Sequence, residues 1–167
     1  MDTILKTAQV SLLRDGEVSV ARSFAAPRAL VYKAYTEPAL VQRWQLGPPG
    51  WSMPVCEMDV RAGGQYRWRW RSDDDGSEFG FHGEFIDVEP QVRLRHTQHF
   101  DAGDTGEDMG DQPAMVTVTF QDHAGFTTVT TLVDFGSETA RDAALSTGMT
   151  DGMEMSYQLL DRLLAGE

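Results

Sequence analysis

The sequence predicts an α+β fold in which seven antiparallel strands are followed by one long helix. Three observations predict it: apolar and polar residues alternate in successive segments between about residues 17 and 135, turn-forming residues separate those segments, and the spacing becomes helical from about Thr139. Two short helices follow the first strand. Because the chain has 167 residues, we expect one domain over 1-167, with a core of about 17-164.

The composition limits the classes of partner. With 41% hydrophobic residues there is enough apolar material for a buried core, and the net charge of −12 would repel nucleic acid and anionic membrane surfaces. Cys56 is the only cysteine, which excludes an intrachain disulfide. The first thirteen residues lack the apolar core of a signal peptide, and no apolar run approaches ~20 residues, so we expect a cytoplasmic protein without a membrane span.

Alternation and proline mark the first strand and the two short helices. Glu17 to Phe24 alternates with its valines on one side, as a half-buried strand does. Pro27 suits the start of a helix, and Pro38 ends that helix and opens a second one through Trp44. The second helix is expected to end at Pro48-Pro49-Gly50.

The next strands form hairpins whose register is predicted by aromatic residues. Val55 to Arg61 leads into Ala62-Gly63-Gly64, where glycine accepts the positive φ of a tight turn. Gln65 to Ser72 places aromatic residues on one face and arginines on the other. If Asp73 to Gly76 is the following loop, aromatic residues face one another across the strands. The expected pairs are Trp70 with Phe79, Trp68 with Phe81 and Tyr66 with Gly83.

A bend and an acidic loop interrupt the second half of the sheet. Asp87 would follow Phe85 onto the aromatic face, so we expect a β-bulge or bend near Phe85-Ile86. Asp101 to Pro113 is acidic and glycine-rich, which predicts a mobile surface loop. The remaining strands are Val92 to Phe100, Met115 to Gln121 and Thr127 to Phe135.

From about Thr139, apolar residues recur at steps of three and four, which predicts a long helix that packs on the sheet. Gly148, Gly152 and Ser156 form a row of small residues within it. Glycine inside a helix costs about 1 kcal/mol relative to alanine. We therefore expect the row to be offset by close approach to the sheet, to its Trp and Phe side chains, or to a bound molecule.

A series of short motifs runs through the chain from about Glu17 to Leu164. Its most specific part is the Cys56 to Gly64 segment together with the upstream Arg43-Trp44. The series resembles the family named for the activator of heat-shock protein 90 ATPase, in its C-terminal-type domain. The other matching motifs are Ala26-Pro27, Pro38, Asp73 to Gly76, Gly83-Glu84-Phe85, Val88-Glu89-Pro90 and Arg93-Leu94.

The resemblance implies the helix-grip architecture of START and birch-pollen-allergen-like (SRPBCC) proteins, in which a bent antiparallel sheet wraps around a long C-terminal helix. In such folds the gap between sheet and helix is typically an apolar cavity that holds a hydrophobic ligand. Two departures bear on that gap. Gln45 stands where members often carry a second aromatic residue, and Gly152-Met153 stands where they often have Gly-Trp.

The expected site is therefore an apolar cavity between the sheet and the last helix, and a completely filled core is the alternative. Trp44 and Trp51 are candidates for its opening, or they cap the edge of the core. The candidate lining residues are Tyr66, Trp68, Trp70, Phe79, Phe81, Val118, Phe120, Val129, Val133, Met149 and Met153.

The polar motif residues are interpreted as structural. We expect Asp59 and Arg61 to form an ion pair that fixes the hairpin at Gly63 and Gly64, and the resemblance implies a structural role for Gly83 as well. The arginines of the aromatic strand are predicted to be a solvated outer face, with a patch for an acidic partner as the alternative. These arginines are Arg67, Arg69 and Arg71.

The sequence predicts neither a metal nor a cofactor. His96 and His99 lie three apart on a predicted strand, so they point to opposite faces and cannot bind one metal ion. His82 is expected on the face away from the aromatic residues. Cys56 is interpreted as a small buried hydrophobe. The chain contains no zinc, calcium, phosphate-loop, dinucleotide or nucleophile-elbow motif.

Three functions remain open. The first is a binding module that holds a small hydrophobic molecule without transforming it. The second, which rests on the resemblance alone, is a partner of a heat-shock protein 90 homologue. The third is a cavity enzyme of the cyclase or hydrolase type, in which Glu84, His82 or Tyr66 would act only if the strand register differs from the predicted one. A homodimer is compatible with the sequence, although no residue pattern predicts it.

Overall fold

The computed structural model describes residues 3–101 and 113–166, and in this part of the chain eight strands form one antiparallel sheet. The strands are β1 Gln9–Leu12, β2 Glu17–Phe24, β3 Trp51–Met58, β4 Gln65–Ser72, β5 Glu78–Glu89, β6 Arg93–Asp101, β7 Ala114–His123 and β8 Phe126–Asp134. The helices are α1 Arg28–Thr36, α2 Pro38–Trp44, α3 Glu138–Leu145 and α4 Met149–Leu164. The strand order is β1-β2-β8-β7-β6-β5-β4-β3, and the sheet is curved and open. The α+β helix-grip fold is confirmed.

Helices α1 and α2 begin where proline predicts. Pro27 caps α1 in an extended conformation (φ −64°, ψ 149°), and Pro38 occupies the first turn of α2. A proline at this position is compatible with a helix because its missing N–H would have no partner within the helix.

The predicted count of seven strands is wrong by one, because β1 was not predicted. All four of its residues are exposed, so they carry no alternation of buried and exposed positions. Its pairing with β2, from Gln9 opposite Ala21 to Leu12 opposite Val18, comes from backbone hydrogen bonds that no side-chain pattern announces.

The predicted long C-terminal helix is present as α4, but its predicted start near Thr139 is wrong, since a break separates α3 from α4. Gly148 has φ +84°, a left-handed conformation that glycine adopts without penalty and that a continuous helix excludes. The apolar spacing runs across the break because Leu145 and Met149, on either side of it, both pack against the same core.

The predicted strand register is confirmed. Trp70 lies opposite Phe79, Trp68 opposite Phe81 and Tyr66 opposite Gly83. The predicted bulge is confirmed too, since the register between β5 and β6 shifts between Phe85 and Asp87. The shift leaves Ile86 with 44% of its surface exposed.

Most of the buried apolar residues form one cluster, which we call the helix-side core. It joins one face of β2, β6, β7 and β8 to α1 and α4, and its most buried members include Val20 and Leu160, each 0% exposed. The face of the sheet that carries these residues is the helix-bearing face.

Apart from its ends, the predicted acidic loop between Asp101 and Pro113 lies outside the described residues. No helix in residues 3–101 and 113–166 combines the length and the apolar character that crossing a membrane requires.

Candidate functional site

Six aromatic side chains form a continuous aromatic cluster on the helix-bearing face of β3 to β6. Trp70 stacks on Phe79 with ring centroids 5.4 Å apart, and Phe79 in turn contacts Trp51 at 5.3 Å. Phe81 lies 5.6 Å from Trp70 and 5.7 Å from Phe100. The members of the aromatic cluster are Trp51, Trp68, Trp70, Phe79, Phe81 and Phe100.

Helix α4 does not seal the aromatic cluster. Helix α2 covers one end, where Val41 packs with Met53 and Trp70. Among the described residues, the side chains of α4 that pack in the interior, such as Tyr157 and Leu160, belong to the helix-side core instead. Trp70 is 8% exposed. The half-buried members are Trp51, Trp68, Phe79, Phe81 and Phe100.

The loop after α2 links the aromatic cluster to α4. The indole N–H of Trp70 donates to the carbonyl oxygen of Gln45 at 2.7 Å, and the backbone N–H of Gly47 donates to Oγ of Ser156 at 2.8 Å. Gln45 therefore contributes its backbone carbonyl to this link. The loop is held at both ends and bounds one side of the aromatic cluster.

The row of small residues does not make the close approach to the sheet that we expected. A Cβ atom placed on Gly152 would have no neighbouring atom within 4 Å, so neither the sheet nor its Trp and Phe side chains pack there. Gly148 lies at the start of α4 rather than inside a helix. Only Ser156 is buried, and its contact is with the loop after α2.

A buried polar group lies where the aromatic cluster meets the helix-side core. The Tyr66 hydroxyl donates to the Thr97 carbonyl oxygen at 2.6 Å, and Nδ1 of His96 lies 3.1 Å from both of these oxygen atoms. Tyr66 is 3% exposed and His96 is 5% exposed. Trp68 packs on Tyr66 with centroids 4.5 Å apart, and Phe85 packs on His96 at 5.6 Å.

Burial keeps both titratable members of this group neutral. Desolvation lowers the pKa of His96 to about 4, and its hydrogen bond with the Thr97 backbone opposes that shift only in part. Desolvation also raises the pKa of the Tyr66 hydroxyl well above its ordinary value. At neutral pH the site therefore offers hydrogen-bonding groups without a net charge.

The ladder between β5 and β6 is irregular beside this group. The N–H of Glu84 donates to Oγ1 of Thr97 at 3.0 Å, while the Thr97 carbonyl turns to Tyr66. A Cβ atom on Gly83 would overlap the Thr97 carbonyl oxygen. Glycine is therefore required at residue 83 for the carbonyl to reach Tyr66.

The structure does not bring all of the predicted lining residues together. Five of them lie in or next to the aromatic cluster: Tyr66, Trp68, Trp70, Phe79 and Phe81. The other six are in or against the helix-side core, where Phe120 contacts the rings of Tyr32 and Tyr35 at 5.3 Å each. These six are Val118, Phe120, Val129, Val133, Met149 and Met153.

The two tryptophans expected at an opening differ in position. Trp44 is 2% exposed, its indole N–H donates to the Ala34 carbonyl oxygen at 2.8 Å, and its ring lies 4.8 Å from Tyr35. Trp44 therefore belongs to the core and does not line an opening, because helix α1 covers it. Trp51 is half-buried at the border of the aromatic cluster.

The motif after β3 forms a tight turn. The predicted ion pair is confirmed, with Nε of Arg61 2.8 Å from Oδ2 of Asp59, but both side chains are more than half exposed and contribute little to stability. Gly63 has φ +85° and donates its N–H to the Phe85 carbonyl oxygen at 2.8 Å. A Cβ atom on Gly64 would overlap the Asp59 carbonyl oxygen.

The arginines of β4 are on the outer face, but they are not all solvated as expected. Arg67 and Arg71 are exposed. Arg69 keeps only 15% of its side chain exposed because it binds Glu78 at 3.0 Å and Asp101 at 2.8 Å. These ion pairs link β4 to the first residue of β5 and to the last residue of β6.

A polar groove also lies on the outer face. His82 and His99 stack across the strands there with centroids 5.0 Å apart, so His96 and His99 point to opposite faces as predicted. Because the register is the predicted one, His82 and Glu84 stay on the outer face, away from the aromatic cluster. Charged residues that line the groove are Glu57, Arg67, Glu84 and Asp101.

In 3–101 and 113–166, no three His, Cys, Asp or Glu side chains are placed to hold a metal ion. Cys56 is half-buried and packs against the cluster of Val41, Met53 and Trp70. Burial raises the pKa of its thiol to about 11, which keeps it protonated at neutral pH.

Sequence reasoning missed an ion pair between β2 and α4, in which Arg22 is buried while the side chain of Asp161 is 43% exposed. The guanidinium of Arg22 donates to both carboxylate oxygens of Asp161, at 2.9 and 2.8 Å, and lies 3.3 Å from Oε2 of Glu154. Arg22 is 3% exposed. Its place in the alternation of β2, on the side of Val18 and Val20, was a signal that it faces the core.

Sequence reasoning also missed the residues of β6 that share the helix-bearing face. Leu94 belongs to the helix-side core, and alternation from it places His96, Gln98 and Phe100 on the same side. The signal is present in the sequence, because alternation from Leu94 places His96 on that face.

Comparison with known proteins places the chain in a family. A family model described as "Activator of Hsp90 ATPase homolog 1-like protein" matches residues 25–165. No match was found among curated proteins.

Solved structures share the fold over nearly the whole chain. A protein of Rhodobacter sphaeroides is 30% identical, with a TM-score of 0.86 over 96% of this chain and 99% of that one. A Mycobacterium smegmatis protein is 23% identical, with a TM-score of 0.83 over 95% and 96%. An AHSA1-like protein of Aeromonas hydrophila is 20% identical, with a TM-score of 0.69 over 88% and 93%.

Proposed function

The chain belongs to the family of activator of Hsp90 ATPase homolog 1-like proteins, and we propose that it binds a small hydrophobic molecule on the aromatic cluster. The family and its fold are in general of the ligand-binding or co-chaperone type. The proposal names the first of these two activities and its location, between β3–β6 and the helices. It requires no chemical transformation of the bound molecule.

One observation carries the proposal: five of the six rings in the aromatic cluster are incompletely buried although they lie on the helix-bearing face. Contiguous apolar surface that a folded chain leaves uncovered is typical of interaction sites. Aromatic walls with a few polar groups are typical of sites for small molecules. The hydroxyl of Tyr66 and the imidazole of His96, next to Trp68, are such polar groups.

The outer groove is the competing location. Its lining carries charges of both signs, including Glu57, Arg67 and Asp101. Such a surface is well hydrated, and a hydrophobic molecule would gain little there because it would cover polar groups rather than apolar area. The aromatic cluster is therefore favoured for a hydrophobic ligand.

Titration with N-phenyl-1-naphthylamine, a neutral dye that fluoresces in apolar surroundings, tests the proposal. We expect saturable fluorescence in the unmodified chain. Phe81→Leu keeps an apolar side chain but removes a ring from the aromatic cluster, so the affinity should fall about twofold to tenfold. Phe135→Leu is the matched control, since Phe135 packs against the helix-side core.

The outcomes separate clearly. Equal affinity of both variants would place the dye outside the aromatic cluster, and absence of saturable fluorescence in the unmodified chain would refute the proposed function. Circular dichroism of each variant shows whether it is folded.

The hypothesis of a heat-shock protein 90 partner is supported by the family description and by no feature of the described residues. Its direct measurement is the ATPase rate of a heat-shock protein 90 homologue at saturating concentrations of this chain. A raised rate would support this hypothesis, and an unchanged rate would refute it.

A further inference from the structure

The hydrogen bonds around His96 determine which of its ring nitrogens carries the proton. Oη of Tyr66 lies 2.6 Å from the Thr97 carbonyl oxygen, and because a carbonyl has no hydrogen to donate, the hydroxyl proton lies between these two oxygens. Nδ1 of His96 is 3.1 Å from each of the same oxygens, and each offers it only lone pairs. Nδ1 is therefore the protonated nitrogen, and Nε2 of the neutral ring carries a lone pair.

This lone pair is an unused acceptor on a buried side chain. His96 is 5% exposed, and its hydrogen bonds to other described residues all involve Nδ1. In the sheet it lies opposite Phe85 on β5 and Val116 on β7, so apolar side chains flank it on both neighbouring strands. Nε2 is not among the described side-chain atoms that are buried without a hydrogen-bond partner, so it keeps accessible surface that a bound molecule can reach.

A second polar side chain lies beside it on the same face. Gln98 is half-buried, two residues further along β6, and faces Ala114 on β7. On β5, Gly83 lies between His82 and Phe85, which pair with His99 and His96. Both neighbouring strands therefore place a small residue beside Gln98, and no described residue forms a hydrogen bond with its side-chain amide.

We propose that the hydrophobic molecule bound at the aromatic cluster carries a hydroxyl group that donates a hydrogen bond to Nε2 of His96. The inference rests on the proposed function, because it names the class of ligand for the same site: a phenol or another hydrophobic alcohol. Gln98 is the second polar contact, and its amide both donates and accepts. A ligand with only acceptor atoms would place its lone pairs against that of His96.

Two probes of the same ring system test the inference. 2-Naphthol and 2-methoxynaphthalene share their ring and oxygen atom, but only the naphthol has a hydroxyl proton. Titration calorimetry should show 2-naphthol binding about fivefold more tightly. His96→Phe keeps a buried planar ring without an acceptor, so it should remove this preference. Phe135→Leu, outside the site, should retain it.

The outcomes distinguish failure of the proposed function from failure of the hydroxyl assignment. Equal binding of both probes to the unmodified chain would leave the proposed function standing and overturn the hydroxyl assignment. A preference that survives His96→Phe would overturn the assignment to His96. Failure of both probes to bind would overturn the proposed function, and the inference with it.

A measurement on the unmodified chain makes the test independent of whether a variant folds. Long-range ¹H–¹⁵N correlation should show His96 as a neutral imidazole protonated at Nδ1. Addition of 2-naphthol should shift the Nε2 resonance, and 2-methoxynaphthalene should leave it in place. A free His96 protonated at Nε2 would overturn the inference directly.

Discussion

Two glycines four residues apart are expected to respond to alanine with opposite signs. Gly152 lies inside α4, and a Cβ atom there would have no neighbour within 4 Å. Gly152→Ala therefore gains the helix propensity of alanine, about 1 kcal/mol, without a steric penalty. Gly148 has equally open surroundings but a φ of +84°, a left-handed conformation that costs a residue with a Cβ atom about 1–2 kcal/mol.

These free energies convert into measurable temperatures. An unfolding entropy of about 2.1 cal/mol/K per residue amounts to about 0.35 kcal/mol/K for a chain of 167 residues, so 1 kcal/mol shifts the Tm by about 3 °C. We expect Gly152→Ala to raise the Tm by about 3 °C and Gly148→Ala to lower it by about 3–6 °C in thermal unfolding followed by circular dichroism. A lower Tm for Gly152→Ala would show that another group occupies the space at α4. A higher Tm for Gly148→Ala would show that α3 and α4 form one helix.

Three further predictions concern buried groups. Arg22→Met should lower the free energy of unfolding in urea by about 1–3 kcal/mol, less than for a fully buried pair, because Asp161 and Glu154 keep 43% and 21% exposure and can be hydrated; no change would contradict a stabilising role. Folding favours the neutral form of His96, so its contribution to the free energy of unfolding should be fully present above pH ~6.5 and fall by about 3 kcal/mol toward pH 4. His96→Phe should flatten this part of the pH profile. If it does not, His96 is not buried in solution. Gly83→Ala should destabilise the chain by about 1–3 kcal/mol, since its Cβ atom meets the Thr97 carbonyl; a neutral effect in the same assay would refute the close approach.

The sequence predicted the parts of the fold that depend on side-chain burial and on turn chemistry. The pairing of Trp68 with Phe81 and the bulge after Phe85 follow from which residues must share a face, and both are present. Two features follow from backbone geometry instead and were missed. Strand β1 is held by main-chain pairing of exposed residues, and α3 ends because Gly148 adopts a left-handed conformation.

The sequence predicted which residue types form the candidate site better than it predicted how they are arranged. Alternation identified the aromatic strand, but it could not show that Phe120 and its neighbours are covered by helices while Phe81 is not. The environment of His96 depends on where the Thr97 carbonyl points, which is a property of an irregular ladder rather than of residue types. The sequence could place His96 on the helix-bearing face, but it could not predict which ring nitrogen carries the proton.

The tryptophan indole N–H resonances test the central claim most directly, because the four tryptophans of the chain divide between the two regions. Trp51, Trp68 and Trp70 are in the aromatic cluster, and Trp44 is in the helix-side core. In a ¹H–¹⁵N titration with N-phenyl-1-naphthylamine, we expect the three indole signals of the aromatic cluster to shift with one common dissociation constant while that of Trp44 stays nearly fixed. Unchanged indole signals together with shifts at His82 and His99 would place the ligand in the outer groove and contradict the account.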